Sequence, residues 1–275
     1  MGKPIEGAME SILKLPPKEF TPRGVEDVNP PKDSARLENY ILLPTKLHGS
    51  YSYPESLVAM HRLNYLDSGV HDAAQRLNLV VRNTSKEEKT GLEFMGKILW
   101  QEAMKLVLAK GSSALTLRQG LDFLRLLKDG LESRIQVYDG LCRPLQPEIL
   151  REVYNEIVEV RSPWRGEWLD ADYKCINDEL WLYSGHTLQG NSLEPLRKEK
   201  LLSCFMEKGR KIMLATCNEQ GMPVERGNDI YYWCQDKDNH SVAWLGADSG
   251  RADLNCNWNP DYCNAELGVR EVMRT

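Results

Sequence analysis

The chain changes character near Arg161. Before it, apolar residues recur at helical spacing. After it come six of the seven tryptophans and short aromatic runs that read as strands. A helical half followed by a strand-rich half places the chain in the α+β class. Its 275 residues suffice for one large domain or two ordinary ones.

The helical signals lie between Tyr51 and Val160. Ser85-Lys86-Glu87-Glu88 has the spacing of a capping box, and Leu92, Met95, Leu99, Leu106 and Leu108 form an apolar stripe that stops at Lys110-Gly111. Thr116-Leu117-Arg118-Gln119 repeats the capping pattern ahead of Leu117, Leu121, Leu124 and Leu127, with Gly130 ending the run. Pro147 suits the first turn of a further helix with Leu150, Val153, Tyr154 and Ile157 on one face. Residues 51–160 therefore predict four or five helices packed as a bundle or layer. The segment 1–50 is proline-rich at its start, with Pro16-Pro17 and Pro30-Pro31 among charged residues, and predicts an extended arm.

The second half, residues 161–275, predicts an α+β domain. Glu179–Tyr183, Asp229–Trp233, Ser241–Leu245 and Leu267–Val272 read as strands. Leu193 to Glu207 reads as one helix with Leu196, Leu201 or Leu202, and Phe205 facing inward, and Asn218-Glu219-Gln220-Gly221 reads as a turn.

Composition removes several classes of function. A net charge of −5 argues against a general nucleic-acid binder. No window approaches twenty apolar residues, so no spanning helix or membrane insertion is expected. The start, Met1-Gly2-Lys3-Pro4-Ile5-Glu6, lacks the apolar core of a signal peptide, and the expected location is the cytoplasm, with later assembly into a particle compatible with it. Seven cysteines occur without CxxC spacing, so no zinc site is expected. Cys256 and Cys263 are the pair whose bridging would close a short terminal loop.

Catalytic signatures are missing: there is no GxSxG, no P-loop and no dinucleotide fingerprint. The five histidines are scattered. Asp170 and Asp172 could share one face of a strand and suggest hydrolase or metal chemistry. The plainer reading has a tryptophan-rich strand packed at a domain junction, its acids facing water or pairing with arginine. Trp258-Asn259-Pro260-Asp261 invites comparison with calcium loops, but the acids are too sparse for six or more oxygen ligands. No catalytic residue, metal or cofactor is expected.

What remains is a concentration of recognition residues. Trp244, Arg251, Trp258 and Tyr262 are of the types that dominate interface energy. Asn255, Asn257, Asn259 and Asn264 supply short, adaptable donors and acceptors. The plainer alternative is that asparagine-rich loops are turns.

These residues resemble a known family. The frame Ile230-Tyr231-Tyr232-Trp233, Ser241-Val242-Ala243, Ser249, Leu254, Cys256, Pro260 and Leu267-Gly268-Val269-Arg270 is similar to the variable region of target proteins of diversity-generating retroelements, in the archaeal and archaeal-virus group with a C-type lectin fold. The closing Gly-Val-Arg strand is also similar to that of formylglycine-generating-enzyme-like folds. The resemblance spans about Arg161 to Thr275 and is strongest at the end. It implies a helical N-terminal lobe followed by a C-type-lectin-like domain with a variable region at about 241–275. In that family a reverse transcriptase copies a template with errors at adenines, and asparagine codons become many residues at fixed positions. The positions so implied are Trp244, Leu245, Asp248, Arg251, Asp253, Asn255, Asn257, Trp258, Asn259, Asp261, Tyr262, Cys263 and Asn264. Tryptophan does not arise from such codons, so Trp244 and Trp258 need another template codon or belong to the frame.

The expected function is binding of a protein or other macromolecular ligand through this surface. Val242, Leu254, Leu267 and Val269 are expected in the core; Asp253, Asn255, Asn257, Asn259, Asp261 and Tyr262 are expected exposed together. The alternatives are an enzyme of formylglycine-generating or hydrolase type near Asp170 and Asp172, and a structural particle protein assembled through the helical half.

Overall fold

The protein, as a computed structural model, is described over residues 37–86, 91–236, 240–248 and 250–274. In chain order its strands are β1 (Tyr40–Leu43), β2 (Lys46–His48), β3 (Tyr51–Tyr53), β4 (Ser56–Arg62), β5 (Arg82–Lys86), β6 (Glu93–Gly96), β7 (Ser113–Ala114) and β8 (Arg165–Ile176). There follow β9 (Glu179–Gln189), β10 (Ser192–Lys200), β11 (Arg210–Ile212), β12 (Ile230–Trp233), β13 (Ser241–Ala247), β14 (Ala252–Trp258) and β15 (Leu267–Arg274). The helices are α1 (Val70–Leu77), α2 (Trp100–Ala109), α3 (Leu117–Leu131) and α4 (Pro147–Val158).

Strand β8 is the axis of a large mixed sheet with the order β1-β4-β15-β8-β13-β14-β12-β11. The β9–β10 hairpin is added through β9 to the far end of β8, and β7 joins β15. Two pairings are parallel, β15 with β8 and β12 with β14; the others are antiparallel.

Period-two alternation sends side chains to two hydrophobic clusters, one on each face. Leu169, Ala171 and Tyr173 of β8, Ala243 and Leu245 of β13, and Leu254 and Cys256 of β14 join the cluster that contains α3 and α4. Trp168, Val242, Trp244, Leu267 and Val269 join the opposite cluster with α1 and α2. β8 is covered on both faces and is therefore buried from Arg165 through Tyr173, its charged residues Arg165, Glu167, Asp170 and Asp172 included.

An ion cluster ties the middle of the sheet to α4. Arg270, only 1% exposed, donates through Nε to Glu167 Oε2 (2.9 Å), through one terminal nitrogen to Glu156 Oε1 (3.3 Å), and through the other to the carbonyls of Ala59 and Met60. Glu156 also meets His61 Nδ1 at 2.6 Å. Thus β15, β8, β4 and α4 converge on one guanidinium.

Several sequence expectations hold. Thr116 caps α3: its Oγ1 accepts from Gln119 N (3.3 Å) while Gln119 Oε1 accepts from Thr116 N (3.1 Å). Pro147 opens α4. Val242, Leu254, Leu267 and Val269 are fully buried.

Others are corrected. Between Tyr51 and Val160 lie strands β3 to β7 as well as the four helices. The helices form two pairs, α1 with α2 and α3 with α4, packed in opposite clusters and not as one bundle. The boundary expected near Arg161 does not divide the sheet, because β4 and β1 pair outward from the C-terminal strand β15, and the described residues belong to one compact unit. Of the arm expected over 1–50, residues 1–36 lie outside the described residues, while 40–48 carry β1 and β2. Glu87 and Glu88 of the first capping pattern also lie outside, and Ser85 sits in β5; α2 starts only at Trp100, where Glu102 accepts from Leu99 N (3.1 Å). The helix expected from Leu193 is strand β10. There Pro195 is tolerated because the strand is an edge, paired only with β9, and Leu196 points to solvent at 63% exposure. Among the described residues no helix is long and apolar enough to cross a membrane.

Candidate recognition pocket

Three neighbouring strands, the β13–β14 turn and Trp164 ahead of β8 line one open cavity of about 490 Å³. Its walls are Trp164, Trp233, Trp244, Asp248, Arg251, Asp253, Asn255, Asn257 and Trp258. The alternation that sends Leu254 and Cys256 of β14 into the core sends Asp253, Asn255 and Asn257 to the other face. On β12, Ile230 and Tyr232 likewise face the core while Tyr231 and Trp233 are only half-buried. The parallel β12–β14 pairing sets Tyr231 opposite Asp253 and Trp233 opposite Asn255.

The aromatic wall is continuous. Trp164, Trp244 and Trp258 have ring centroids 5.1, 5.9 and 6.0 Å apart, and Tyr262 packs edge-on to Trp258 at 5.6 Å. Gly166 permits this packing, since a Cβ there would lie 2.8 Å from Trp244 and 3.0 Å from Leu267. Trp244 lies in the floor, and its Nε1 has no hydrogen-bond partner.

The charged side is built on the β13–β14 turn. Asp248 Oδ1 accepts from Gly250 N (2.7 Å) and Arg251 N (2.8 Å), which fixes where Arg251 leaves the backbone. Arg251 Nε lies 3.1 Å from Asp253 Oδ1 and 3.2 Å from Oδ2, and its hydrogen bond is to Oδ2. Burial pushes the Asp253 carboxyl above its ordinary range, and Arg251 partly offsets that.

The thirteen candidate positions separate in the structure. Asp248, Arg251, Asp253, Asn255, Asn257 and Trp258 line the cavity together with Trp244. Leu245 does not: it points to the opposite face and packs in the core with α3 and α4. Asn259, Asp261 and Tyr262 are exposed in the loop that follows β14, with Tyr262 at 52%. Cys263 and Asn264 are half-buried, and the Asn264 carbonyl accepts from Lys97 N and Leu267 N, so its backbone belongs to the frame. The expectation that Asp253, Asn255, Asn257, Asn259, Asp261 and Tyr262 are exposed together is corrected. Asp253 and Asn255 are 3% and 8% exposed, because they lie within a sheet and not in a loop, covered from β12 and β13. Asp261 faces a different cavity, with Pro260, Gln101 and Lys105.

Trp164 and Trp233 were absent from the candidate positions. The period-two run Ile230-Tyr231-Tyr232-Trp233 carries the signal that places Trp233 on the face away from the core.

Asp170 and Asp172 are buried rather than facing solvent, and they pair with histidine and lysine rather than arginine. Asp170 binds the backbone and imidazole of His186, and Asp172 meets His240 Nε2 at 2.5 Å and Lys174 Nζ at 3.2 Å. Neither lines the 490 Å³ cavity. Among the described residues no group of three or more His, Cys, Asp or Glu is placed to hold a metal ion. All seven cysteines are free, Cys256 and Cys263 included.

No protein-family model, curated protein or solved structure matches the chain.

Proposed function

We propose that this protein is a recognition protein whose C-terminal segment is a diversified binding surface of the retroelement type, carried on a C-type-lectin-like frame. The ligand is a protein or other macromolecule. The observation that carries the reading is the interleaving along β14: Leu254 and Cys256 fill the core while Asp253, Asn255 and Asn257 line an open tryptophan-walled cavity. Such a strand separates the residues that specify the fold from those that contact a ligand. The lining matches what binding requires, with large rigid aromatic surfaces beside adaptable amide groups.

Trp258, in the cavity lining, packs against Tyr262, which is exposed with Asn259 in the loop that follows. Substitution at such positions typically shifts stability by under about 0.5 kcal/mol, whereas an aromatic gained or lost at an interface centre changes affinity by about 2 kcal/mol or more. The segment can therefore change partner without losing its fold. Leu245 belongs to the frame under this proposal, as does the backbone of Asn264.

Sequencing the DNA that flanks the coding region tests the proposal. It expects a reverse-transcriptase gene and a near-repeat of the last hundred or so coding bases, differing from it at adenines. A locus without either removes the retroelement origin.

A further inference from the structure

The positive group in the cavity is already bound by its own chain. The Arg251 guanidinium carbon lies 4.9 Å from the centre of the Trp233 ring and 5.3 Å from that of Tyr231, and Nε lies 3.1 Å from the Asp253 carboxylate. Two aromatic faces and a buried acid form a complete site for a planar cation: the ring quadrupoles attract the charge, and the carboxylate meets the N–H edge.

Arg251 is nevertheless open to solvent on one side. It springs from a turn, its side chain is about one-third exposed, and its second acid, Asp248, is 4.0 Å away. The cavity it lines is open, and Trp164 and Trp258 are also in its lining. Among the described residues no lysine or arginine lies over those two rings, nor over Trp244. Two lining carboxylates face a single guanidinium, so the lining as a whole favours a further positive charge.

We propose that Tyr231, Trp233 and Asp253 form a receptor for an arginine guanidinium, which Arg251 fills in the free protein and which an arginine of the ligand takes over on binding. The inference rests on the recognition reading and names the ligand's anchoring group. Arginine suits the site better than lysine, because its flat, weakly hydrated head stacks on tryptophan while its edge pairs with a carboxylate. Trp164 and Trp258 then receive the aliphatic stem or the neighbouring residue. Burial raises the Asp253 carboxyl, and a guanidinium beside it acts in the opposite direction.

An internal occupant lowers apparent affinity by the fraction of time the site is free, so emptying the site strengthens binding. The test is calorimetric titration with acetyl-Gly-Arg-Gly-amide, with free L-arginine, and with the same peptide carrying neutral citrulline. The proteins are wild type, Arg251→Ser, Arg251→Gln and Arg251→Ser/Asp253→Asn, each checked for folding by circular dichroism.

Both single variants are expected to bind the arginine peptide at least about tenfold more tightly than wild type, to ignore citrulline, and to lose the gain when Asp253 is also changed. Equal binding of free arginine makes the ligand a small guanidinium compound; preference for the peptide makes it a polypeptide. If Arg251→Ser and Arg251→Gln bind no better than wild type, or citrulline binds equally, the arginine receptor is overturned. The recognition reading would stand independently if diversified libraries of this surface still yielded binders.

Discussion

Trp233 on β12 stands in register with Asn255 on β14, across a parallel pairing. On its other side Asn255 pairs with Trp244 of β13, which pairs in turn with Trp168 of β8. One row of side chains thus crosses four strands, with a short amide between two tryptophans, and that gap is the floor of the cavity. A larger residue at 255 would fill it and a smaller one would deepen it, without touching Leu254 or Cys256 on the reverse face.

Gly166 should be intolerant of a side chain. A methyl group there would crowd Trp244 and Leu267. Gly166→Ala is expected to cost about 1–3 kcal/mol through overpacking and to disturb the tryptophan cluster. Urea unfolding measures the first effect and near-ultraviolet circular dichroism the second.

Neighbouring candidate positions should differ sharply in their effect on stability. Leu245→Ala opens a cavity in the cluster that contains α3 and α4 and is expected to cost about 2–5 kcal/mol. Tyr262→Ser removes a half-exposed ring and is expected to stay within about 0.5 kcal/mol. Equal losses in thermal unfolding would contradict the division between frame and surface.

Acid should weaken the fold through the Arg270 cluster. Burial alone would raise the Glu156 carboxyl, but Arg270, His61 and Arg62 overcome it and bring it down to about 2. The unfolded chain binds that proton more readily, so the contribution is present above the unfolded value of about 4.5 and is lost as pH falls towards 2. It amounts to about 3 kcal/mol. Its neighbour Glu167 is pushed up by burial and acts in the opposite sense. Urea midpoints between pH 7 and 2 should fall over the acid part of that range. Glu156→Gln should flatten that fall and lower stability at pH 7, because Arg270 and Arg62 lose a buried counter-charge.

The thiols should react in order of exposure. Cys142 and Cys175 are exposed, whereas burial pushes the Cys256 thiol up to about 12. Iodoacetamide at pH 8 followed by peptide mass spectrometry should find the first two modified early and Cys256 only after unfolding. A Cys256–Cys263 disulfide in the isolated protein would contradict the arrangement.

The parts of the fold legible in the sequence were those where one face is core and the other is not. Thr116 with Gln119, Pro147, and the alternating Ile230–Trp233 run all carry a local signal that the tertiary structure keeps. Strand β4 was not legible, because Ser-Leu-Val-Ala-Met-His-Arg is buried on both sides and shows no period. Strand β10 misled because Leu196, Leu201 or Leu202, and Phe205 can be read as one inward helix face, whereas Leu196 lies on an exposed edge strand and points to solvent. The cavity was legible in part. Asp253, Asn255, Asn257 and Trp258 stand out locally, but their meeting with Trp164 and Trp233 depends on long-range strand order that no local pattern encodes.

The separation of frame from surface is tested most directly with two surface-displayed libraries of the full chain. One randomises Asp248, Arg251, Asn257, Trp258, Asn259 and Tyr262; the other randomises Leu245, Leu254, Cys256 and Val269. The measurement is the fraction of clones that resist protease, followed by selection for binding to a panel of purified proteins. Most clones of the first library should stay folded and yield binders, while most of the second should be degraded. Comparable loss of folding in both libraries, or a folded first library that yields no binders, would contradict that separation.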